Sequence, residues 1–559
     1  MESFNLFCIL ELLGGLAFFL YGMHIMSASL EKIAGGKLEK ILKTMTSNPL
    51  KGLTLGVGVT AVIQSSSAVT VMLVGLVNSG LMKLSQAIGV IMGSNIGTTA
   101  TAWILSLAGL EGDNPLIKFF KPDSLTPLLA FVGMLMFFVA KSNKNKSFGT
   151  VFLGFSILMT GMIFMSSSMS PLSNCPKFVN LLTLFDNPLF GVAIGTLLTA
   201  IIQSSSVSVG MLQALALKVN ITCGAALPII MGQNIGTCIT AIISSVGVNS
   251  NAKKVAVVHL SFNILGTLIF LILFLIGNSF FKLQFVNEVA NPANIAVIHS
   301  IFNIGTTLLL LPFVKVLEKI ANLVIKEETE SSALVLDERL LLSPDLALFE
   351  VKEKVVEMVD MIKSNLIYST KLFKNYNPKK VLVITNNENL ISSYENELKS
   401  FLIKISNKEL AEENSQKIAQ LLMIINDFQQ INMLSKEILA IAEQKTLNKI
   451  TFSDELISDL KAIVQANREI IRSTTEIVKK TDLILIGRVE VLKQNLSELV
   501  YKAKNKHIKN IQNGSMPLEF DNFILNLFTN LERVSEHCIN ICVLKKQNKK
   551  IVNSACGTI

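Results

Sequence analysis

Two short polar stretches interrupt apolar sequence and carry residue types suited to binding a small ion. VIQSSSAVTV covers residues 62–71 and IIQSSSVSVG covers residues 201–210. Gln64 and Gln203, which begin the two Q-S-S-S motifs, are 139 residues apart. Serine hydroxyls and free backbone N–H groups at a helix start favour an anion. Serine, threonine and asparagine oxygens with exposed carbonyls also suit a hard cation such as Na⁺.

The alternative for a serine run is structural, because small polar residues let membrane helices pack and hydrogen-bond. FMSSSMS at 164–170 shows that such a run occurs outside the motif. Each Q-S-S-S motif, however, is followed about 29 residues later by a G-x-N-I-G-T segment, at 93–98 and 232–237. This repeated pairing favours a solute site, and we expect a helix break at each G-x-N-I-G-T segment.

The two motif sets belong to an internal repeat. Residues 48–107 align with residues 187–246 without a gap, and 27 of the 60 aligned positions are identical. A repeat of this length is too long for a solenoid and fits a duplicated membrane half.

Composition divides the chain into a membrane part and a second part. Half of the 559 residues are hydrophobic, 16% are charged, and the mean hydropathy is +0.52. Arg339 is the first arginine, and charged residues become frequent after it. We therefore expect an all-α polytopic membrane protein. Its membrane domain would cover 1–330, with repeats at about 10–140 and 147–280 and an extra helix at 293–325. A helical-bundle domain would cover 340–550.

Seven apolar segments are long enough to cross a bilayer core of ~30 Å. They are residues 12–30, 84–110, 124–140, 147–169, 221–246, 255–278 and 293–314. The pieces 52–63 with 68–80, and 190–202 with 207–217, are too short to cross alone. We interpret each pair as a re-entrant hairpin with Q-S-S-S at its tip.

Lysine placement predicts the orientation. With the loop KSNKNK (141–146) in the cytoplasm, 11 lysines up to residue 254 lie inside and five up to Lys282 lie outside, as the positive-inside rule requires. The N-terminus would be outside and the C-terminal domain cytoplasmic. No secretory signal is evident, so the first apolar segment is expected to stay as a membrane helix. Three crossings in each repeat make the second copy inverted, an architecture of alternating-access transporters.

Charge narrows the solute further. Residues 52–82, 84–110, 187–217 and 219–252 contain no Asp, Glu, Lys or Arg. A multivalent anion in such a core would need co-bound cations, of which Na⁺ is the obvious one, because helix N-termini supply only about half a charge each. If transport were coupled to protons instead, the main titratable candidates would be His24, His259 and His299. A packing role is favoured for His259 and His299, which share an H-x-x-F-N pattern.

These paired motifs resemble the sodium/phosphate cotransporter family, in its type II class and bacterial branch, over about residues 1–325. The resemblance implies Na⁺-coupled transport of inorganic phosphate across the cytoplasmic membrane. It assigns phosphate and Na⁺ binding to Gln64, Ser65, Ser66, Ser67, Asn95, Thr98, Gln203, Ser204, Ser205, Ser206, Asn234 and Thr237. The loop 170–187 is short and holds only Cys175, so the outer-loop disulfide of animal members is not expected.

The second half has helical patterning and few Gly or Pro. We predict six helices, at about 345–375, 384–405, 409–444, 452–480, 483–512 and 518–546. NLERVSEHCINI (530–541) resembles the signature of PhoU-like domains, which bind metal through acidic clusters and regulate phosphate uptake. That resemblance assigns a divalent metal to Glu532 and Glu536, with a solvated helix face as the alternative. Cys538 and Cys542 are expected to pack in a helix core rather than to bind metal.

The sequence thus favours a sodium-coupled phosphate symporter over two other classes. A membrane-anchored phosphate sensor would not need two opposed Q-S-S-S motifs. The sequence does not support an enzyme, because no nucleophile–base pair, phosphate loop or catalytic carboxylate is present in the membrane half. It also contains no motif for nucleic-acid binding. Import against export, Na⁺ stoichiometry, phosphate against related oxyanions, a homodimer and a regulatory partner for the PhoU-like domain stay open.

Overall fold

A computed structural model describes residues 5–34, 48–110, 112, 114–174, 187–326, 336–408, 412–512 and 521–556. Cys175 and part of the basic stretch 31–51 lie outside these ranges. The chain forms two compact units, residues 1–330 and 331–559, which we call the membrane unit and the second unit. The described residues form helices and no strands, which confirms the all-α fold class.

The membrane unit contains thirteen α-helices within its described ranges. They are α1 Leu6–Ala34, α2 Pro49–Ile63, α3 Ser66–Asn78, α4 Leu84–Ser106, α5 Pro115–Phe120, α6 Pro122–Val139, α7 Asn143–Met169, α8 Pro188–Ile202, α9 Ser205–Ala216, α10 Cys223–Ser244, α11 Ser250–Phe281, α12 Pro292–Leu310 and α13 Val314–Val324. Seven helical segments among the described residues are long and apolar enough to cross a membrane, as predicted, and α2, α3, α8 and α9 are the shorter apolar helices.

The chain turns sharply at each Q-S-S-S motif. Gln64 ends α2 with a left-handed backbone (φ 62°), and Ser65 caps α3 by accepting a hydrogen bond from the backbone N–H of Ala68. Gln203 (φ 61°) and Ser204 do the same between α8 and α9. A left-handed residue followed by an extended serine stops one helix and starts the next, so the sequence motif builds the turn.

Contacts of α2 show that each turn reverses the chain. Leu53 faces Gly93, Thr60 faces Gly97, and Gln64 reaches Thr101, so α2 and α4 run parallel. Since residues 79–83 are the only link between α3 and α4, α3 must run back along α2. Helices α8 and α10 are parallel in the same way, with Thr196 bonded to the Gly232 carbonyl and Thr199 beside Gly236.

The expected helix breaks at G-x-N-I-G-T are wrong. Helices α4 and α10 continue through residues 93–98 and 232–237. The glycines instead let the backbones of paired helices touch, because a Cβ on Gly97 would lie 2.7 Å from the Val57 carbonyl oxygen. A Cβ on Gly236 would lie 2.5 Å from the Thr196 carbonyl oxygen. The motif supplies close packing, as small residues do between membrane helices.

Helices α11 and α12 fix the relative direction of the two halves. Trp103 of α4 bonds Ser300 of α12, and Gly109 lies beside Pro292, so α4 and α12 are antiparallel. Thr267 of α11 bonds the Met231 carbonyl of α10, while Asn263 bonds Cys238, so α10 and α11 are also antiparallel. Phe270 of α11 stacks edge-on against Phe302, and Gly266 faces Thr306. That makes α11 and α12 antiparallel, and it follows that α4 and α10 run in opposite directions.

The second unit contains six long α-helices in its described ranges, close to the predicted positions. They are α14 Pro344–Leu372, α15 Pro378–Ser406, α16 Glu412–Leu447, α17 Asp454–Lys479, α18 Leu483–Gln512 and α19 Asp521–Cys556. Helix α14 packs on α15 and α16, and α17 packs on α18 and α19. The two groups join where α16 meets α19 and α14 meets α17.

Close packing of α2 on α4 predicts a contrast between two glycines of one helix. In Gly56→Ala the new Cβ would collide with the Val90 carbonyl oxygen, whereas nothing lies within 4 Å of a Cβ on Gly58. We expect Gly56→Ala to destabilise the protein by about 1–3 kcal/mol. Gly58→Ala should be neutral or stabilising by up to ~1 kcal/mol. Unfolding of the purified variants in detergent measures both, and equal stabilities would contradict the parallel packing.

Candidate functional site

The tips of the two hairpins meet inside the membrane unit. The Ser67 hydroxyl donates to the backbone carbonyl of Gln203 at 3.4 Å, although the residues are 136 positions apart. The Ser206 hydroxyl donates to the Thr101 hydroxyl at 3.4 Å. Two Q-S-S-S motifs that are remote in sequence therefore form one polar cluster.

Thr101 connects the two tips. Its hydroxyl donates to Oε1 of Gln64 at 2.8 Å while accepting from Ser206. The Gln64 amide also donates to the Ala61 carbonyl, and the Gln64 side chain is buried. Thr101 was not predicted as a site residue, although the repeat pairs it with an identical residue, Thr240.

The first turns of α3 and α9 lie at this cluster, since they contain Ser67 and Ser206. Ser66 and Ser67 begin α3, and Ser205 and Ser206 begin α9, so each tip carries N–H groups without partners inside the helix. Helix dipoles add about half a positive charge at each start. Ser66, Ser205 and Ser206 are buried, and such amide and hydroxyl donors can hold the oxygens of an anion.

Buried hydroxyls beside each tip offer oxygen ligands. The side chains of Thr60 and Thr199 are fully buried, and neither hydroxyl has a hydrogen-bond partner. Each threonine lies one turn before a tip glutamine, and its carbonyl accepts the N–H of that glutamine at 2.7 Å. Hydroxyl and carbonyl oxygens of this kind fit a hard cation. The repeat alignment pairs Thr60 with Thr199, a signal that sequence reasoning did not use.

The predicted asparagines and threonines of G-x-N-I-G-T are buried but are not seen bonded to the tips. The Thr98 and Thr237 hydroxyls donate to backbone carbonyls of their own helices, and Asn234 donates to the Ile230 carbonyl. Asn95 lies six residues before Thr101, about 9 Å along α4. It forms the base of the polar region rather than part of the tip cluster.

Asn95 has a partner that the sequence did not reveal. Its amide donates to Oδ1 of Asn263 on α11 at 2.9 Å, and the Asn263 amide donates to the His259 carbonyl at 3.0 Å. Asn263 and His259 belong to the H-x-x-F-N pattern of α11. Both ring nitrogens of buried His259 lack hydrogen-bond partners, as does Nδ1 of His299. The buried rings are compatible with the packing role that the sequence favoured for both histidines.

The two glutamates predicted to bind metal in the second unit do not lie in an acidic cluster among the described residues. Glu532 pairs with Lys504 at 3.3 Å, and Glu536 is exposed. Within the described ranges, no group of three or more His, Cys, Asp or Glu side chains is placed to hold a metal ion. A lysine beside Glu532 competes with any cation there, so the metal assignment has no geometric support.

The neighbouring signature residues form a core and a polar contact between helices. Cys538 and Cys542 are buried, and burial raises the pKa of the Cys542 thiol to about 11 and that of Cys538 further. Neutral thiols are poor metal ligands, so both cysteines fill the core, as expected. Nδ1 of His537 lies 2.9 Å from Asp427 of α16 and ties the two helix groups of the second unit together.

Comparison with known proteins gives three informative relatives. The uncharacterised protein YqeW of Bacillus subtilis is 33% identical over 250 residues, 44% of this chain and 77% of the relative. YjbB of Escherichia coli strain K12, whose name describes a candidate inorganic phosphate export protein, is 23% identical over 535 residues, 94% of this chain and 95% of the relative. The sodium-dependent phosphate transport protein 2A of Rattus norvegicus is 43% identical over 99 residues, 17% of this chain and 15% of the relative. No solved structure matches the chain.

The family model described as Na⁺/Pi-cotransporter matches residues 18–167 and again residues 161–288. The chain belongs to the Na⁺/Pi-cotransporter family. It is therefore a multi-pass membrane transporter rather than an enzyme, and the family supports transport of phosphate.

The Asn95–Asn263 pair predicts a non-additive effect on stability. Asn95→Leu or Asn263→Leu alone should destabilise the protein by about 1–3 kcal/mol, because each leaves a buried amide without its partner. The double variant should cost clearly less than the sum of the two. Unfolding in detergent measures the cycle.

Ser300→Ala provides the matched control for that cycle. The half-buried Ser300 of α12 bonds the exposed Trp103, so its loss should cost under ~0.5 kcal/mol and add independently to Asn95→Leu. Strict additivity of Asn95→Leu with Asn263→Leu would contradict the coupling.

Proposed function

We propose that this protein is a sodium-coupled symporter of inorganic phosphate that works by alternating access. The single observation that carries the proposal is the meeting of the two hairpin tips, which brings Ser67 to the Gln203 carbonyl and Ser206 to Thr101. One cluster then holds helix-start amides for an anion beside hydroxyls and carbonyls for Na⁺. The predicted residues Gln64, Ser65, Ser66 and Ser67, with Gln203, Ser204, Ser205 and Ser206, would bind these ions.

The arrangement of the two halves supports alternating access. We infer that α2–α3 and α8–α9 are re-entrant hairpins and that the repeats are inverted. The opposite directions of α4 and α10 support the inversion, and the reversal of the chain at Gln64 and Gln203 supports the hairpins. Inverted repeats with interrupted helices that meet near the bilayer centre suit alternating access, in which one repeat moves against the other around a fixed binding site.

The charge distribution of the helices supports sodium coupling. Asp, Glu, Lys and Arg are absent from α3, α4, α9 and α10, so an oxyanion at the tips has helix dipoles and hydroxyls but no fixed cation. Na⁺ bound near Thr60 or Thr199 would supply the missing positive charge. Asn95, Thr98, Asn234 and Thr237 would act from the helix core below the tips.

The lysine distribution supports residence in the cytoplasmic membrane with the N-terminus outside and the second unit in the cytoplasm. We infer that the second unit is PhoU-like and regulates transport, on the strength of the NLERVSEHCINI signature and its six-helix architecture.

Export is the second candidate direction of transport. The relative that matches nearly the whole chain, second unit included, carries an export name.

Phosphate uptake into proteoliposomes tests the proposal. With equal inward gradients of Na⁺ or K⁺ and no pH gradient, we expect concentrative uptake of labelled phosphate with Na⁺ only. Phosphate binding without uptake under either gradient would instead identify a sensor. Uptake that ignores Na⁺ and follows an imposed pH gradient would turn attention to His259 and His299.

The serines of the two tips should be essential together. Ser66→Ala with Ser205→Ala removes a buried hydroxyl from the first turn of α3 and of α9, and we expect uptake to be abolished while the protein stays folded. The matched control is Ser166→Ala with Ser168→Ala, two buried serines of α7 in the run outside the motif. Undiminished uptake by the tip variant would remove these serines from the mechanism.

A further inference from the structure

The two hairpin tips are equivalent in sequence but differ in this structure. Gln64 is buried and its Oε1 accepts from Thr101, whereas Gln203 is exposed and its side chain makes no such bond. Thr101 is 1% exposed, and its counterpart Thr240 is only partly buried. The Thr240 hydroxyl donates to the Thr237 carbonyl of its own helix at 2.9 Å.

The serines show the same asymmetry. Ser206 bonds the Thr101 hydroxyl, but its counterpart Ser67 bonds the Gln203 backbone carbonyl. One serine thus bonds a threonine hydroxyl and the other bonds a glutamine backbone carbonyl. By the repeat, each serine could make the other's type of contact. One half has its threonine, glutamine and opposing serine connected, and the other half has the same three residues disconnected.

We propose that Thr101 and Thr240 are equivalent positioning residues that hold the tip glutamines in alternation. In the state described here, Thr101 holds Gln64 and receives Ser206. In the opposite state, Thr240 would hold Gln203 and receive Ser67, while Ser206 would move to the Gln64 carbonyl. This proposal deepens the alternating access of the proposed function and rests on it.

Chemistry favours exchange over simultaneous closure. A threonine hydroxyl has one proton, so Thr101 can hold Gln64 only by giving up a bond to its own helix, of the kind that Thr240 now makes. Ser67 cannot donate its single proton to the Gln203 carbonyl and to Thr240 at once. Moving from one set of bonds to the other replaces each hydrogen bond by one between the same residue types. The two states can therefore lie close in free energy.

Cross-linking tests whether the second state exists. The pair Ser67→Cys with Thr240→Cys should be bridged by a short bifunctional thiol reagent in proteoliposomes without phosphate or Na⁺. Adding Thr101→Val, which removes the hydroxyl at constant shape, should raise the rate of bridging by roughly 3- to 10-fold, since the state described here loses both Thr101 hydrogen bonds and the opposite state loses only one. Peptide mass spectrometry identifies the bridge, so the native cysteines can stay.

Two controls separate positioning from general loosening. Thr101→Ser keeps the hydroxyl and should return the rate to that of the parent pair. The pair Asn78→Cys with Asn249→Cys reports a contact that does not involve the tips, where Asn249 N lies 2.9 Å from Asn78 Oδ1. Thr101→Val should leave its bridging rate unchanged.

The outcomes are distinct. Absence of bridging between positions 67 and 240, or an equal rate with and without Thr101→Val, would overturn the proposal, as would equal acceleration of both pairs. Cross-linking needs no substrate, so the two proposals can fail separately. If Na⁺-driven phosphate uptake is observed but positions 67 and 240 are not bridged, only the exchange of contacts is wrong. If bridging depends on Thr101 but no phosphate uptake is observed, the proposed substrate is wrong and the exchange of contacts is retained.

Discussion

A backbone that stops being helical inside an apolar unit must satisfy its own polar groups, and the two hairpin tips are built around this constraint. At the first tip, the Gln64 N–H returns to the Thr60 carbonyl, and the Ser65 hydroxyl caps the Ala68 N–H. The first solution is a backbone hydrogen bond and the second uses a small polar side chain, so the turn carries polar groups wherever it is placed. The residues that make the turn tolerable are also of the types that can bind ions.

The tips need a scaffold that holds them together, and close helix packing provides it. Gly97 allows α2 to touch α4, and Gly236 allows α8 to touch α10, which fixes each tip against the second half of its partner helix. Helix α4 then presents Thr101 to both tips. The glycines of G-x-N-I-G-T thus act on the site through backbone contact, although they lie on continuous helices.

The sequence could predict the elements because local chemistry decides them. Apolar length gave the seven long helices, and the Q-S-S-S motif gave the turns, since a cap serine acts within its own turn. The G-x-N-I-G-T breaks were wrong because glycine indicates either a break or a close contact, and only the partner helix decides which. Thr101 and Asn263 were missed because their roles depend on contacts across 37 to 168 residues.

The asymmetry of the tips was beyond sequence reasoning for a different reason. Identical residues at Thr101 and Thr240 predict identical environments, yet one side chain is buried and the other half-buried. A repeat in sequence specifies two equivalent sets of contacts, and under the proposed exchange both sets would compete for the same serines. The environment of each residue is then a property of the state of the molecule rather than of its sequence.

Coupling of two ions can be understood from the same lack of fixed charge. Transferring an unpaired multivalent anion into a core without lysine or arginine carries a large desolvation cost, which partial helix charges offset only in part. A cation bound at adjacent hydroxyl and carbonyl oxygens would lower that cost, while either ion alone would leave a net charge buried. In a site with permanent charges the anion could cross by itself. In a site built from serine, threonine and glutamine, each ion would make the other's occupancy more favourable, so coupled binding would follow from the lack of fixed charge.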